Sequence, residues 1–299
     1  MKYIEFEEKK ISKLSLGTVQ FGLDYGIANI DGKPTDKEVK EIITYLYDNG
    51  INAFDTATSY GNSEERIGKV FKNLDKLFII SKLSSEDFLS KAEDGIKNSL
   101  KKLNVNSLFG LLLHDNKVLN NWNNESKIIL GNLQKKGFIQ NFGVSIYTSL
   151  EFNKALENED IRFIQIPFNI FDLRAINEEW FDKVKAKGKL IFIRSVFLQG
   201  LLLIDKEKLP EKLSKAKEYL EQFEQFALNY EMTKSELALS FVDSVAKDAI
   251  LLFGCDNLMQ AKENLENYKN LKVLSGDQIN EIIKAFKNIS EDIYLPTRW

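Results

Sequence analysis

The chain has 299 residues, 43% of them hydrophobic, and a formal net charge of -3 from 41 basic and 44 acidic side chains dispersed along its length. That is enough apolar chain for one large core, and charges so interspersed argue against nucleic acid or an anionic membrane surface as the main partner. No apolar run approaches the roughly 20 residues of a membrane span, residues 1–10 lack the apolar centre of a signal peptide, and the single cysteine, Cys255, leaves no internal disulfide or cysteine-built metal site. A cytoplasmic protein is expected.

From the N-terminus, residues 2–6 followed by 7–11 predict a short β-hairpin placed to close one end of a barrel. After it, short apolar runs recur at 14–16, 51–54, 77–81, 108–113, 141–144, 162–164, 190–193 and 249–253. They end in turn at Gly17, Asp55, Lys82, His114, Ser145, Gln165, Arg194 and Gly254. Near-continuous runs of this length are the mark of strands buried on both faces. Between them lie helical stripes. Val39, Ile42, Ile43 and Leu46 share one helix face, with Gly50 as a stop signal, and Thr233 with Glu236 has the spacing of a capping box. The long interval from Arg194 to Gly254 holds an additional helix over residues 210–230. Eight strand–helix units point to an α/β fold of the closed (β/α)8 type, one domain over residues 1–299. An open doubly wound sheet would want a G-x-G-x-x-G turn after its first strand, and the glycines Gly17 and Gly22 lack that spacing.

Barrel enzymes place their chemistry at the carboxyl ends of the strands, which makes the strand-end residues informative. His114 is the one histidine in the chain. Taken alone, a lone histidine beside an apolar run is most often a packed residue, but in a barrel it converges on one mouth with Asp55, Tyr60 and Lys82. A phenol is a poor acid at neutral pH. An adjacent ammonium stabilises the phenolate, so Lys82 is expected to lower the Tyr60 pKa, with Asp55 as the partner that makes a buried ammonium tolerable. His114 would hydrogen-bond a substrate oxygen. The set suits reduction of a carbonyl group: a hydride reaches the carbon while Tyr60 protonates the oxygen. With one imidazole available, no metal is expected.

The segment Phe54-Asp55-Thr56-Ala57-Thr58-Ser59-Tyr60-Gly61, continuing through Glu64 to Gly68, resembles the aspartate-and-tyrosine signature of the aldo-keto reductases. The resemblance runs over essentially the whole chain, and Lys82 and His114 fall where that family's catalytic tetrad continues. It implies an NAD(P)H-dependent oxidoreductase acting on an aldehyde or ketone. Tyr60 is then the general acid, Asp55 and Lys82 tune it, and His114 orients the substrate. Ser145 and Gln165 would hold the nicotinamide carboxamide, although Ile146 stands where relatives carry an asparagine. Arg194 would stack on the nicotinamide ring. Gly17, Thr18, Ser195, Leu198 and Gly200 would follow the cofactor towards its pyrophosphate, and Gly254, Asn257, Gln260, Glu263 and Asn264 would form the adenosine-phosphate loop and helix. Relatives place arginine or lysine early in that loop for the 2'-phosphate. Here the position is Asp256, so NADP(H) is the implied cofactor and NAD(H) the alternative.

Gln20, Tyr25, Trp122, Phe168 and Phe197, with Phe21 and Trp299, are candidates for the wall of a substrate pocket. The partner implied is a small carbonyl compound, sugar-like by the similarity of residues 194–200 to bacterial relatives, and the chain is expected to be a monomer or a weak homo-oligomer. Two rival readings share the fold. One is a nicotinamide-binding regulatory or sensor subunit with little turnover; the other is a metal-free isomerase or lyase using Lys82 as a Schiff base.

Overall fold

A computed structural model describes residues 1–29 and 32–299. The chain opens with the hairpin, β1 (Tyr3–Phe6) paired antiparallel to β2 (Lys9–Ser12). Eight parallel strands follow: β3 (Leu14–Gly17), β4 (Ala53–Asp55), β5 (Phe78–Leu83), β6 (Leu108–Leu113), β7 (Ile139–Ser145), β8 (Phe163–Pro167), β9 (Leu190–Arg194) and β10 (Ala249–Phe253). They close in sequence order, and β10 pairs with β3 through Leu251 and Leu14 to complete the ring. The result is a (β/α)8 barrel.

Each strand is buried on both faces, which is why the sequence shows runs and not alternation. Inward-facing Ala53, Ile80, Leu112, Phe163, Phe192 and Ile250 fill the barrel, and Phe6 and Ile11 of the hairpin pack onto them from below. Gly110 is one of the places where a glycine is required. A Cβ there would lie 2.3 Å from the Phe163 ring, so the missing side chain on β6 is what admits the phenyl group to the interior. The outward faces meet the helices in a second and larger apolar layer.

The helices start where the sequence signals them. Thr35 and Glu38 form a capping box at the head of the helix Asp36–Asp48, whose Val39, Ile42, Ile43 and Leu46 are fully buried. The chain leaves this helix through Asn49 and through Gly50 at φ 91°, a conformation that favours glycine. Thr233 and Glu236 cap the helix Lys234–Val245 in the same way, and the expected additional helix is Lys217–Asn229, preceded by a 3-10 segment, Glu211–Ala216. Among the described residues, no helix is long and apolar enough to cross a membrane.

Strand register levels the mouth. Gly17 stands beside Asp55, Ser145 beside Gln165, and Pro167 beside Arg194. Two of the expected strand ends lie inside their strands: β5 runs on to Leu83 and β8 to Pro167. Lys82 and Gln165 therefore belong to the top layer of the barrel interior, and each is 1% exposed.

Candidate active site

Asp55 closes β4 and is buried beneath the mouth. One carboxylate oxygen pairs with the Lys82 ammonium; the other accepts a hydrogen bond from the Gln165 amide at 2.9 Å. Lys82 also donates to the Thr56 carbonyl at 2.9 Å, so the buried cation has a charged and a neutral acceptor. Beyond Asp55 the chain turns through Tyr60 and Gly61, and this turn packs against the first loop so tightly that a Cβ at Gly22 would meet the Tyr60 carbonyl at 1.8 Å. Ser63 fixes the same junction by donating to the Thr18 carbonyl at 2.8 Å. The Tyr60 hydroxyl consequently lies 3.5 Å from the Lys82 ammonium, which is 5.0 Å from the centre of the phenol ring. His114 follows β6 directly. Its backbone N–H donates to the Leu83 carbonyl at 2.7 Å, its ring meets Tyr60 edge-on with centroids 5.6 Å apart, and its Nδ1 is 3.0 Å from the Ser59 hydroxyl. The four residues expected to act together are brought together.

Their electrostatics differ from the expectation in one respect. The Tyr60 pKa is raised, first by burial and then by the Asp55 charge, with Arg194 working the other way. The positive charge of Lys82 is bound to Asp55, so its help to the phenolate does not overcome the loss of water, and the phenol holds its proton firmly. Burial lowers the Lys82 pKa, against the opposing effect of Asp55. His114 is brought down to about 4 by burial and by the charges of Lys82 and Arg194, so its imidazole is neutral at pH 7.

From Tyr60 a cavity of about 510 Å³ runs across the mouth. Next to Tyr60 its lining includes Asp55 and Gln165, and it is lined as well by Gly17, Thr18, Gln20, Tyr25, Arg194, Ser195, Phe197 and Gly200. The lining is completed by Gly254, Asp256, Gln260, Glu263 and Asn264, together with Thr233, Lys234 and Ser235 at the start of the capped helix. A strap crosses it: the Ile27 N–H donates to the Gln199 carbonyl at 3.0 Å, and Gly200, at φ 91°, meets the Ala28 methyl where a Cβ would be 2.7 Å away.

Other expected residues fall outside the lining. Lys82 and His114 touch Tyr60 and are not among the lining residues. Ser145 is buried next to Gln165, Leu198 is fully buried, and Asn257 caps the helix Leu258–Lys269 by accepting from the Gln260 N–H at 2.9 Å. Trp122 is not at the mouth. Its ring packs on Phe88 and Phe142, and its indole N–H donates to Asp160 at 2.8 Å. Phe168 is fully buried between Phe181 and Phe241 in the layer between barrel and helices. Phe21 is fully buried, and Trp299 packs on the same outer core. None of these aromatics lines the cavity, which leaves Gln20, Tyr25 and Phe197 as the pocket candidates that do; the buried Trp299 indole N–H has no hydrogen-bond partner among the described residues.

Several residues escaped the sequence reading of the site, Thr233, Lys234 and Ser235 of the lining among them. Ser59 lies inside the signature segment but touches the histidine, and nothing in the spacing reveals that contact. Tyr147 has its ring under the Arg194 guanidinium, 4.1 Å from centroid to carbon. Thr148 and Glu151 form a capping box that fixes Tyr147 as the residue before a helix at the mouth, a signal that was available in the sequence.

The cavity suits a nicotinamide dinucleotide. It has room for one, Gly200 brings backbone without a side chain to its wall, a planar guanidinium lines it, and the buried Oε1 of the lining residue Gln20 has no hydrogen-bond partner among the described residues.

Comparisons with known proteins agree with this fold. The chain is 26% identical to D-arabinose 1-dehydrogenase of Saccharomyces cerevisiae, over 89% of this chain and 86% of that one. An aldo-keto reductase from Bacillus halodurans superposes with a TM-score of 0.78 at 18% identity, covering 99% of this chain and 98% of the other. A Klebsiella pneumoniae aldo/keto reductase, solved with NADP and acetate, superposes with a TM-score of 0.71 at 18% identity, covering 95% of each. The model of the aldo/keto reductase family matches residues 13–287, and the chain belongs to that family.

Proposed function

We propose that this aldo-keto reductase uses NAD(P)H to reduce an aldehyde or ketone to an alcohol, with Tyr60 as the proton donor. The observation that carries the reading is the Tyr60 hydroxyl 3.5 Å from a Lys82 ammonium that Asp55 keeps paired, with Tyr60 in the lining of the cavity. Bound reduced nicotinamide supplies the hydride. The protein's own groups do the rest. Tyr60 holds its proton until negative charge develops on the carbonyl oxygen, and Lys82 then stabilises the phenolate left behind. Asp55 and the Thr56 carbonyl fix the ammonium, and neutral His114, oriented by Ser59, directs the substrate oxygen towards the phenol. Gln20, Tyr25 and Phe197 wall the substrate.

For the cofactor, Ser145 and Gln165 are assigned to the carboxamide and Arg194 to the ring. Gly17, Thr18, Ser195 and Gly200 are assigned to the central stretch, with Leu198 supporting it from the core. Gly254, Asn257, Gln260, Glu263 and Asn264 take the adenosine end. The Klebsiella relative supports NADP(H), while the carboxylate of Asp256 in the adenosine loop supports NAD(H) as a competent alternative. The name of the yeast relative supports a sugar-like carbonyl or lactol substrate. The reading includes one catalytic domain, a cytoplasmic location and a monomer or weak homo-oligomer.

The test is a panel of aldehydes, ketones and aldoses followed at the absorbance of reduced nicotinamide with both cofactors, run in both directions. Tyr60→Phe should lower turnover roughly 10²- to 10⁴-fold while cofactor affinity is retained. Unchanged turnover in that variant refutes the assignment. Trapping of substrate on Lys82 by borohydride would transfer the protein to Schiff-base chemistry.

A further inference from the structure

Arg194 is a cation at the mouth that has no carboxylate within ion-pair distance among the described residues. Its Nη2 donates to the Ile146 carbonyl at 3.0 Å and its Nη1 approaches the Ser195 hydroxyl at 3.4 Å. The charge is felt through the site: it helps to lower the pKa of His114 and of Lys82. The other buried charges there, Lys82 and Asp55, cancel each other. Arg194 leaves one uncompensated positive charge, half-buried and lining the cavity.

A guanidinium has two flat faces. One lies on the Tyr147 ring at 4.1 Å, an arrangement in which the π-face of the phenol attracts the cation. Tyr147 is itself held firmly. Its N–H donates to the Glu151 carboxylate at 2.6 Å, and its carbonyl accepts from Arg174, which is paired with Asp172. The aromatic ring is therefore a fixed backing plate for the arginine.

We propose that the Tyr147–Arg194 stack makes this site discriminate the redox state of its cofactor, holding the neutral reduced nicotinamide more tightly than the cationic oxidised one, with Tyr147 as the positioning residue. This rests on the cofactor reading given above. A neutral dihydronicotinamide against the free face of a guanidinium gains stacking at no Coulomb cost. A nicotinamidium against the same face sets two positive charges at contact distance in a partly dry site, where repulsion is worth more than in water. Release of oxidised cofactor is favoured, and carbonyl reduction continues as that form accumulates.

The experiment is equilibrium titration, with no substrate, of the wild type and three variants by both redox forms of NADP and of NAD. Fluorescence follows the reduced forms and calorimetry the oxidised ones. The wild type should bind the reduced form about tenfold more tightly or better, the order of effect expected of one unscreened charge. Arg194→Met should bring the ratio close to one, chiefly by strengthening the oxidised form. Tyr147→Phe keeps the ring and should keep the ratio, and Tyr147→Leu should move it towards one. A Tyr147 that merely supports the fold would weaken both forms alike and leave the ratio fixed. An unchanged ratio in Arg194→Met, with both forms still binding, overturns the proposal. Failure of the wild type to bind either form overturns the cofactor reading, and this proposal with it.

Discussion

His114 permits an unusually clean test of the electrostatics of the site, because it is the one histidine in the chain and its imidazole gives a single NMR signal to follow. Burial, then the charges of Lys82 and Arg194, lower its pKa from 6.5 to about 4, while Asp115 pulls it up. Between those values the unfolded chain binds a proton that the folded chain refuses. Stability therefore falls as the pH drops through that window, and the contribution is fully present above it. The difference of about 2.5 pH units, at about 1.4 kcal/mol each, caps the loss at roughly 3.5 kcal/mol, of which roughly 2.5 kcal/mol should have gone by about pH 4.5. Urea melts of wild type and His114→Gln at neutral pH and at about pH 4.5 isolate it, because the carboxylates contribute equally to both proteins. The variant should lose less stability on acidification by that amount. In Lys82→Met the imidazole should titrate higher than in wild type but still below 6.5, since burial is the first cause. An imidazole that titrates near or above its ordinary value in the wild type, or equal acid losses in both proteins, refutes the reasoning.

Lys82→Met should also cost about 3–5 kcal/mol of stability, read as a lowered Tm, because it leaves the Asp55 carboxylate buried with the Gln165 amide as its neutral donor. Adding Asp55→Asn to that variant should restore much of the Tm and none of the turnover. Asp256→Arg should strengthen NADP(H) binding and leave NAD(H) nearly unchanged in fluorescence titrations, while the wild type prefers NADP(H) by no more than about tenfold. A thousandfold wild-type preference would show that another group reads the 2'-phosphate. Gly110→Ala pushes a methyl group to within 2.3 Å of the Phe163 ring and should cost about 1–3 kcal/mol in denaturant melts. Gly131→Ala, in the helix Asn124–Lys135 with nothing within 4 Å of the new Cβ, should be neutral or slightly stabilising.

The barrel was legible because each strand is buried on both faces and ends in a residue of different character. That pattern placed Asp55, Ser145 and Arg194 at strand ends, where the structure has them, and read His114 as a strand end, although β6 stops one residue earlier at Leu113. It placed Lys82 and Gln165 slightly too high, since an inward-facing polar residue in the top layer interrupts an apolar run before the strand itself stops. It could not separate Phe197, which lines the cavity, from Phe168, which packs in the helix layer: both lie past their strand ends, where no periodicity says which side a ring takes. The acidity of Tyr60 was misjudged because pairwise charge is visible in a sequence and desolvation is not. Ser59 and Tyr147 owe their importance to contacts across the mouth, with His114 just past β6 and Arg194 at the end of β9, that exist only once the strands are paired.

That closure has a consequence for how the protein is made. The ring is completed by pairing Leu251 with Leu14, and at the mouth Gly254 lies so near the Gln20 amide that a Cβ there would be 2.1 Å from it. The first and last strand–helix units thus share one wall of the cavity. While the chain emerges from the ribosome the catalytic residues of β4 to β6 are synthesised early, yet the outer edge of β3 and the growing edge of the sheet stay unpaired until β10 arrives. A nascent chain short of that point carries two open edges, the condition that invites association with other chains, and has no complete dinucleotide cleft. Capture of a nicotinamide cofactor by ribosome-released fragments of increasing length would therefore switch on only after β10, marking the moment at which synthesis becomes a finished enzyme.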